Sequence, residues 1–399
     1  MTTAVEFIEP MGDADGAARA AALFEARFGM APAGVWAAPG RVNLIGEHTD
    51  YNGGLCLPIA LPHRTYVALA PREDTTVRVI SDMTPSEMTM ADLDGLGAGG
   101  VDGWGAYPIG VAWALREAGF DEVRGFDAVF SSCVPLGSGL SSSAAMTCST
   151  ALALDDVYGL GFGGSDEGRI TLIDAAVMAE NEMAGASTGG LDQNASMRCT
   201  ADHAIRLDCM PGLTAAESVR QEPFDLSAYG LELLVLDTQA PHQLNDGQYE
   251  ARRTMCEEAA RILGVPNLRM AADQVNAAAD PAAALEDVLG RLDDDLRVKL
   301  QFVTGNIADQ YIGIRAQVIN RTEGQVDSQV FRFSDILGPD PILKNRGSSS
   351  EIHIWVDYGK ADWYGYHPSP AAMEKVADTI NEYLSLYQSE DMNLGGQIL

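Results

Sequence analysis

Pro135-Leu136-Gly137-Ser138-Gly139-Leu140-Ser141-Ser142-Ser143-Ala144-Ala145 lies between an alternating apolar run, Phe126 to Val134, and an apolar-periodic run, Ala144 to Tyr158. The first run reads as a strand and the second as a helix. A Gly/Ser loop between strand and helix directs backbone N–H groups and the positive helix end at one spot, which suits a phosphate. Its serines offer hydroxyls for capping the helix or for reaching a metal ion. A plain turn with a serine N-cap is the alternative. The loop lacks the Gly-Lys-Ser/Thr ending of a Walker A motif and is not the G-x-G-x-x-G of a dinucleotide fold. A nucleotide held here would take its charge balance from the backbone, a metal and residues elsewhere.

The rest of the chain bounds the choice. It has 399 residues, enough for two or three domains, and is 46% hydrophobic. A formal net charge of −31 argues against nucleic acid and anionic membranes as partners. An anionic substrate would need a local exception, usually a divalent cation. Met1 to Glu6 lacks the basic and apolar regions of a signal peptide, and no run approaches membrane-spanning length, so a cytoplasmic protein is expected. The six cysteines form no C-x-x-C pair and read as buried free thiols.

In chain order, residues 14–30 read as an amphipathic helix. Ala38-Pro39-Gly40-Arg41-Val42-Asn43-Leu44-Ile45-Gly46-Glu47-His48-Thr49-Asp50-Tyr51-Asn52-Gly53-Gly54 then brackets a short strand with turn signals and crowds Arg41, Glu47, His48, Asp50 and Asn52 together. So many donors and acceptors suit a polyhydroxylated ligand; a solvated, self-paired loop is the alternative. His63 to Ala70, Thr76 to Ile80, His203 to Cys209 and Leu231 to Asp237 read as strands. Residues 104–118, 249–263 and 281–292 read as helices, as does a long run from Ser165 to about Met183. Glu180 and Asp192 could face one pocket, one as metal ligand and one as base or orienting carboxylate; a solvated helix-end carboxylate is the alternative for either. Gly159 to Gly164 reads as an interhelical loop, because no strand precedes it.

These motifs, taken together, resemble the galactokinases of the GHMP small-molecule kinase superfamily. Ala38 to Gly54 looks like their sugar-binding signature, and Pro135 to Ala145 like their phosphate-binding loop. Glu180 to Gln193 is similar to the segment carrying the metal-binding glutamate and catalytic aspartate. Tyr249 with Arg252 and Arg253 matches the sugar-contacting tyrosine and the arginines after it. The resemblance covers about residues 1–298.

It implies an α+β, two-domain GHMP fold: a ribosomal protein S5 domain 2-like N-terminal domain at 1–212, then the start of a ferredoxin-like C-terminal domain at 213–298, incomplete or replaced. It also implies transfer of the ATP γ-phosphoryl group to the C1 hydroxyl of α-D-galactose by a monomer without nucleic-acid or membrane partners. Asp192 and Arg41 would be catalytic, with Asp192 acting largely by orientation. Glu47, His48, Thr49, Asp50, Gly189 and Tyr249 would bind the sugar. Gly137, Ser138, Gly139, Leu140, Ser141, Ser142 and Ser143 would wrap ATP, and Ser143 with Glu180 would hold Mg²⁺. Another sugar kinase of the superfamily, acting on N-acetylgalactosamine or arabinose, and a non-catalytic sensor or truncated kinase fused to another module are the alternatives.

The resemblance stops at about residue 298, and the third GHMP motif, a Gly-Gly-Phe-Gly-Gly-type loop, does not occur in residues 299–399. Alanine becomes sparse while Gln, Ile, Ser and aromatic residues increase. The segment reads as a divergent or unrelated α+β tail, with strands at 312–319, 329–334 and 351–358 and a helix at 369–387. Glu351, His353 and Asp357 share a strand face, and Trp355, Tyr358, Trp363, Tyr364 and Tyr366 form an aromatic group.

Overall fold

The structure, a computed structural model, describes residues 8–46, 48–229, 233, 235, 248–292, 314–320, 326–331 and 350–356. Two compact units emerge. The one that carries the sequence motifs comprises Ile8–Gln221 with His242–Thr254.

This unit opens with helix α1 (Asp13–Phe28) and strand β1 (Gly34–Asn43), followed by β2 (Leu55–Cys56), β3 (Pro58–Pro71), β4 (Thr76–Ser81) and β5 (Thr89–Asp92). Helix α2 (Ala106–Glu117) leads to β6 (Phe126–Ser132), α3 (Ser142–Val157), α4 (Asp166–Met178) and α5 (Leu191–Arg198). Strand β7 (His203–Asp208), the short α6 (Ala215–Ser218) and β8 (Val219–Pro223) complete it. The sheet order is β2-β7-β3-β6-β4-β5, with β1 on β3 and β8 on β7. β1–β3, β2–β7, β3–β6, β3–β7 and β4–β5 pair antiparallel, and β4–β6 pairs parallel.

Strand β3 organises the sheet because both of its faces are buried. Val67 and Leu69 join Phe126, Phe130 and the apolar sides of α2, α3 and α4. Tyr66, Ala68 and Ala70 point the other way, against Ala20 and Phe24 of α1. A strand covered on both faces reads as a continuous apolar run rather than an alternating one. Pro108 is tolerated in α2 because it stands in the first turn, where no intrahelical donor is lost. Ser165 caps α4 by accepting from the Gly168 N–H at 3.0 Å. The expected single helix to Met183 instead ends its regular part at Met178 and continues as a π-helical turn, Ala179–Met183.

The second unit includes α7 (Gln248–Leu263, shared with the first), α8 (Leu268–Asn276) and α9 (Pro281–Gly290). Asn267 caps α8 through the Met270 N–H at 3.0 Å. Strands β9 (Ile314–Asn320), β10 (Val326–Phe331) and β11 (Ser350–Val356) form an antiparallel sheet in the order β10-β9-β11. They fall within a few residues of the strands expected in the tail. The strand expected at 231–237, the helix at 369–387, Asp357 and the aromatic side chains of the tail lie outside the described residues. Among the described residues, no helix is long and apolar enough to cross a membrane.

Candidate active site

The loop after β6 and the end of β1 meet at a β-bulge. The register of β1 on β3 shifts between Pro39 and Arg41, with Gly40 between them. A Cβ at Gly40 would stand 2.5 Å from the Leu140 carbonyl oxygen, so only glycine lets the loop come this close. The Arg41 N–H donates to that same carbonyl at 3.1 Å. The Arg41 side chain reaches α5.

There Arg41 meets Asp192, in the first turn of α5. Arg41 Nε donates to Asp192 Oδ1 at 2.7 Å, and Nη2 lies 2.5 Å from the same oxygen. Nη1 donates to the Gly139 carbonyl at 2.6 Å, so one guanidinium ties the aspartate to the Gly/Ser loop. Ser141 Oγ donates to Asp192 Oδ2 at 2.5 Å. Ser141 occupies the N-cap position of α3 in a left-handed conformation, φ 59°, and makes no side-chain cap. The capping role open to the loop serines is therefore not the one Ser141 fills. Ser138 is turned back on its own loop and donates to the Pro135 carbonyl at 2.9 Å.

Glu180 is buried on the π-helical turn. Its Oε1 accepts from Gln193 Nε2 at 2.8 Å and Thr147 Oγ1 at 3.2 Å. Burial, then the nearby Asp192 charge, pushes its carboxyl up to about 7, against hydrogen bonds from Gln193, Ser143 and Thr147. Gln193 is fully buried, and its Oε1 has no hydrogen-bond partner among the described residues. A buried amide oxygen left unpaired costs about 1–3 kcal/mol, so this position favours a ligand or water that can donate to it or coordinate it.

In the sugar-signature loop, the Asp50 carboxyl is pushed up to about 6 by burial and then by Asp192. Backbone hydrogen bonds from Tyr51 and Leu191 and the Arg41 charge pull the other way. The Leu191 bond brings this loop to the start of α5. Any side chain at Gly189 would collide with the Asp50 carboxylate. Asn181 fixes the loop between: its Oδ1 accepts from Thr188 N–H at 2.7 Å and its Nδ2 donates to the Thr188 carbonyl at 3.2 Å.

His48 has φ 62°, and its Nδ1 lies 3.0 Å from the Tyr51 hydroxyl. Thr49 is turned inward. Its hydroxyl bonds the Gly46 and Leu55 carbonyls at 2.7 and 2.8 Å, so it braces the loop rather than opening to a ligand. Glu47 lies outside the described residues; Tyr249 is in the first turn of α7, with its side chain outside them.

The structure thus brings Arg41, Asp50, Ser141, Glu180, Gly189 and Asp192 into one electronegative site. Gln193 and Gly40 were missing from the sequence reading. A lone glycine inside a strand pattern is a bulge signal that points to Gly40. Nothing local points to Gln193, because its partner lies on another element. The second Gly-rich run does join two helices: Asp155 Oδ1 and Oδ2 accept from the Phe162 and Gly163 N–H groups at 2.7 and 2.9 Å. With a carboxylate already on those donors, it is no phosphate cradle.

Comparison with known proteins agrees with this layout. Residues 22–71 match the galactokinase galactose-binding signature, and residues 106–199 match the GHMP kinases N terminal domain. A galactokinase of Streptomyces coelicolor is 46% identical over 279 residues, 69% of this chain and 66% of that protein. One of Streptomyces lividans is 43% identical over 65% of this chain and 60% of that protein. The chain therefore spans slightly less than two thirds of the length of these relatives. A crystal structure of Lactococcus lactis galactokinase complexed with galactose superposes with a TM-score of 0.57 at 28% identity, covering 72% of this chain and 70% of that one. Residues 22–71 and 106–199 thus relate the chain to the galactokinases and to the GHMP kinases N terminal domain.

Proposed function

We propose that the chain transfers the γ-phosphoryl group of ATP to the C1 hydroxyl of α-D-galactose, giving galactose 1-phosphate and ADP. The observation that carries this reading is the Arg41–Asp192 pair, which joins the sugar-signature strand to the Gly/Ser loop through the Gly139 carbonyl. Phosphoryl transfer demands little covalent chemistry from a protein; it demands alignment of donor and acceptor and neutralisation of charge. Asp192 would receive or orient the C1 hydroxyl, and Arg41 would face charge developing on the transferring group. Arg41 and Ser141 hold the two oxygens of Asp192. Its contribution is therefore mainly orientation. Asp50, with His48, would bind sugar hydroxyls, and residues 137–140, 142 and 143 would wrap the phosphates.

Glu180, Ser143 and the unpaired Gln193 Oε1 make an all-oxygen set that fits Mg²⁺ and its waters. Glu180 and Ser143 would hold the ion, which when bound neutralises phosphate charge. One carboxylate is a sparse protein contribution, in keeping with the way Mg²⁺ keeps waters and substrate phosphates as ligands. We read residues 299–399 as a separate α+β tail.

The test is ADP release by the full chain with Mg-ATP, with and without galactose, beside Asp192→Ala. Galactose-dependent release that the variant lacks is the expected result. A galactose-dependent thermal shift without release would replace the kinase with a sugar-binding sensor.

A further inference from the structure

We propose that Ser141 is a positioning residue: its hydroxyl fixes the Asp192 carboxylate and couples that carboxylate to the phosphate-binding loop. The inference rests on the kinase reading and deepens it.

Three features of the residue converge. First, Ser141 Oγ bonds Oδ2 of Asp192 at 2.5 Å while Arg41 covers Oδ1. With its two oxygens held by donors from two different elements, the carboxylate loses its freedom to turn about its terminal bond. Either donor alone would leave that rotation open.

Second, the backbone of Ser141 is left-handed, φ 59°. Only glycine takes this region without steric cost. A serine at an N-cap ordinarily repays its place by accepting from the first turn of its helix, and Ser141 makes no such bond. Neither backbone geometry nor capping accounts for serine here. The hydroxyl accounts for it through Asp192.

Third, the loop around Ser141 is pinned to the same pair of residues. The Leu140 carbonyl accepts from Arg41 N–H at 3.1 Å and the Gly139 carbonyl accepts from Arg41 Nη1 at 2.6 Å. Residues 139–141 and the Arg41–Asp192 pair are therefore one hydrogen-bonded unit. A phosphate that shifts the loop shifts Ser141, and Ser141 carries the displacement to the carboxylate facing the sugar. Ser141 then differs in role from the rest of the loop, whose contribution is to the phosphates.

Two hydroxyl-free variants of the full chain separate backbone from side chain. Ser141→Gly keeps the left-handed backbone without strain; Ser141→Ala keeps the strain. Both are expected to lower kcat for galactose-dependent ADP release by about 10- to 100-fold, the range for losing a hydrogen bond to a charged group, with both KM values within about twofold. In an Asp192→Asn background, Ser141→Gly is expected to add little further loss, because its effect passes through the carboxylate. An ATP KM that rises at constant kcat, or a Ser141→Gly loss that persists undiminished in that background, overturns the proposal in favour of a direct phosphate contact. A crystal structure of unliganded Ser141→Gly needs no turnover: the Asp192 carboxylate is expected to rotate away from its wild-type position, and an unmoved carboxylate overturns the proposal. Absence of turnover in the unmodified chain would instead defeat the kinase reading.

Discussion

Two arginine–carboxylate clusters that hold the first unit together, around Asp127 and around Arg198, differ in charge balance from the one at the site. Asp127 is buried with Arg78 on both oxygens at 2.6 Å and Arg72 at 3.3 Å. Arg198, buried, takes Asp166 through two parallel bonds of 2.8 and 2.7 Å and adds the Ala215 carbonyl at 2.7 Å. In both, cations equal or outnumber carboxylates, and Arg198 draws the Asp166 carboxyl below its ordinary value. At the site the balance reverses. Asp192 is bonded by Arg41, and its charge raises both Asp50 and Glu180. A fold-holding pair is saturated by its own chain. The site keeps an excess of negative charge that a bound cation would complete, and this excess is what sets it apart from the other clusters.

The comparison breaks most readily at Asp192. Asp192→Ala is expected to reduce galactose-dependent ADP release by about 10³-fold, within the range for loss of a positioned acid or base. Its thermal midpoint should move by only a few degrees, because the like-charge pressure on Asp50 and Glu180 falls as Arg41 loses its partner. Near wild-type turnover in Asp192→Asn would remove any essential role for the carboxylate.

Arg198→Met should do the reverse. It removes both bonds to Asp166 and one of the donors to the Ala215 carbonyl, and is expected to cost about 2–4 kcal/mol in urea unfolding, with turnover per folded molecule preserved. A loss of turnover without a loss of stability would erase the distinction between the clusters.

The pH dependence of stability sharpens it. Burial pushes the carboxyls of Asp50 and Glu180 up to about 6 and about 7 in the folded chain, from ordinary values of 3.8 and 4.5. Between those limits the folded chain binds more protons than the unfolded one. The stabilisation from these two groups is therefore full below about pH 4 and is lost as pH rises through about 7. Glu180→Gln should flatten the fall in unfolding free energy between about pH 4.5 and about pH 7.5, by on the order of 2 kcal/mol, in the ligand-free chain. Parallel pH curves for variant and wild type would show that Glu180 stays ionised.

The smallest expected effect is at Gly189. Gly189→Ala pushes a methyl into the Asp50 carboxylate and should raise the galactose KM about 10-fold while leaving the ATP KM unchanged. Equal changes in both would place the damage in the fold rather than the sugar side.

Much of this was legible in the chain. The Phe126–Val134 strand, the Gly/Ser loop and the following helix stand where their periodicity and turn residues put them, because those signals are local. Glu180 and Asp192 could be singled out by type and spacing. Thr49 was read with its polar neighbours as a ligand, yet its hydroxyl is spent on carbonyls at 46 and 55. A residue type gives no direction for its side chain; the turn around it does.

Local pattern, then, determined the elements, the resemblance to galactokinases and the list of chemistry-bearing residues, since backbone propensity and turn chemistry act over a few positions. Tertiary structure alone decided that Arg41 reaches Asp192 across 151 positions, that Ser141 serves Asp192 across 51, and that Gln193 sits behind Glu180. Those bonds lie beside a bulge at Gly40, a left-handed turn and a π-helical turn, geometry that no short window of sequence contains.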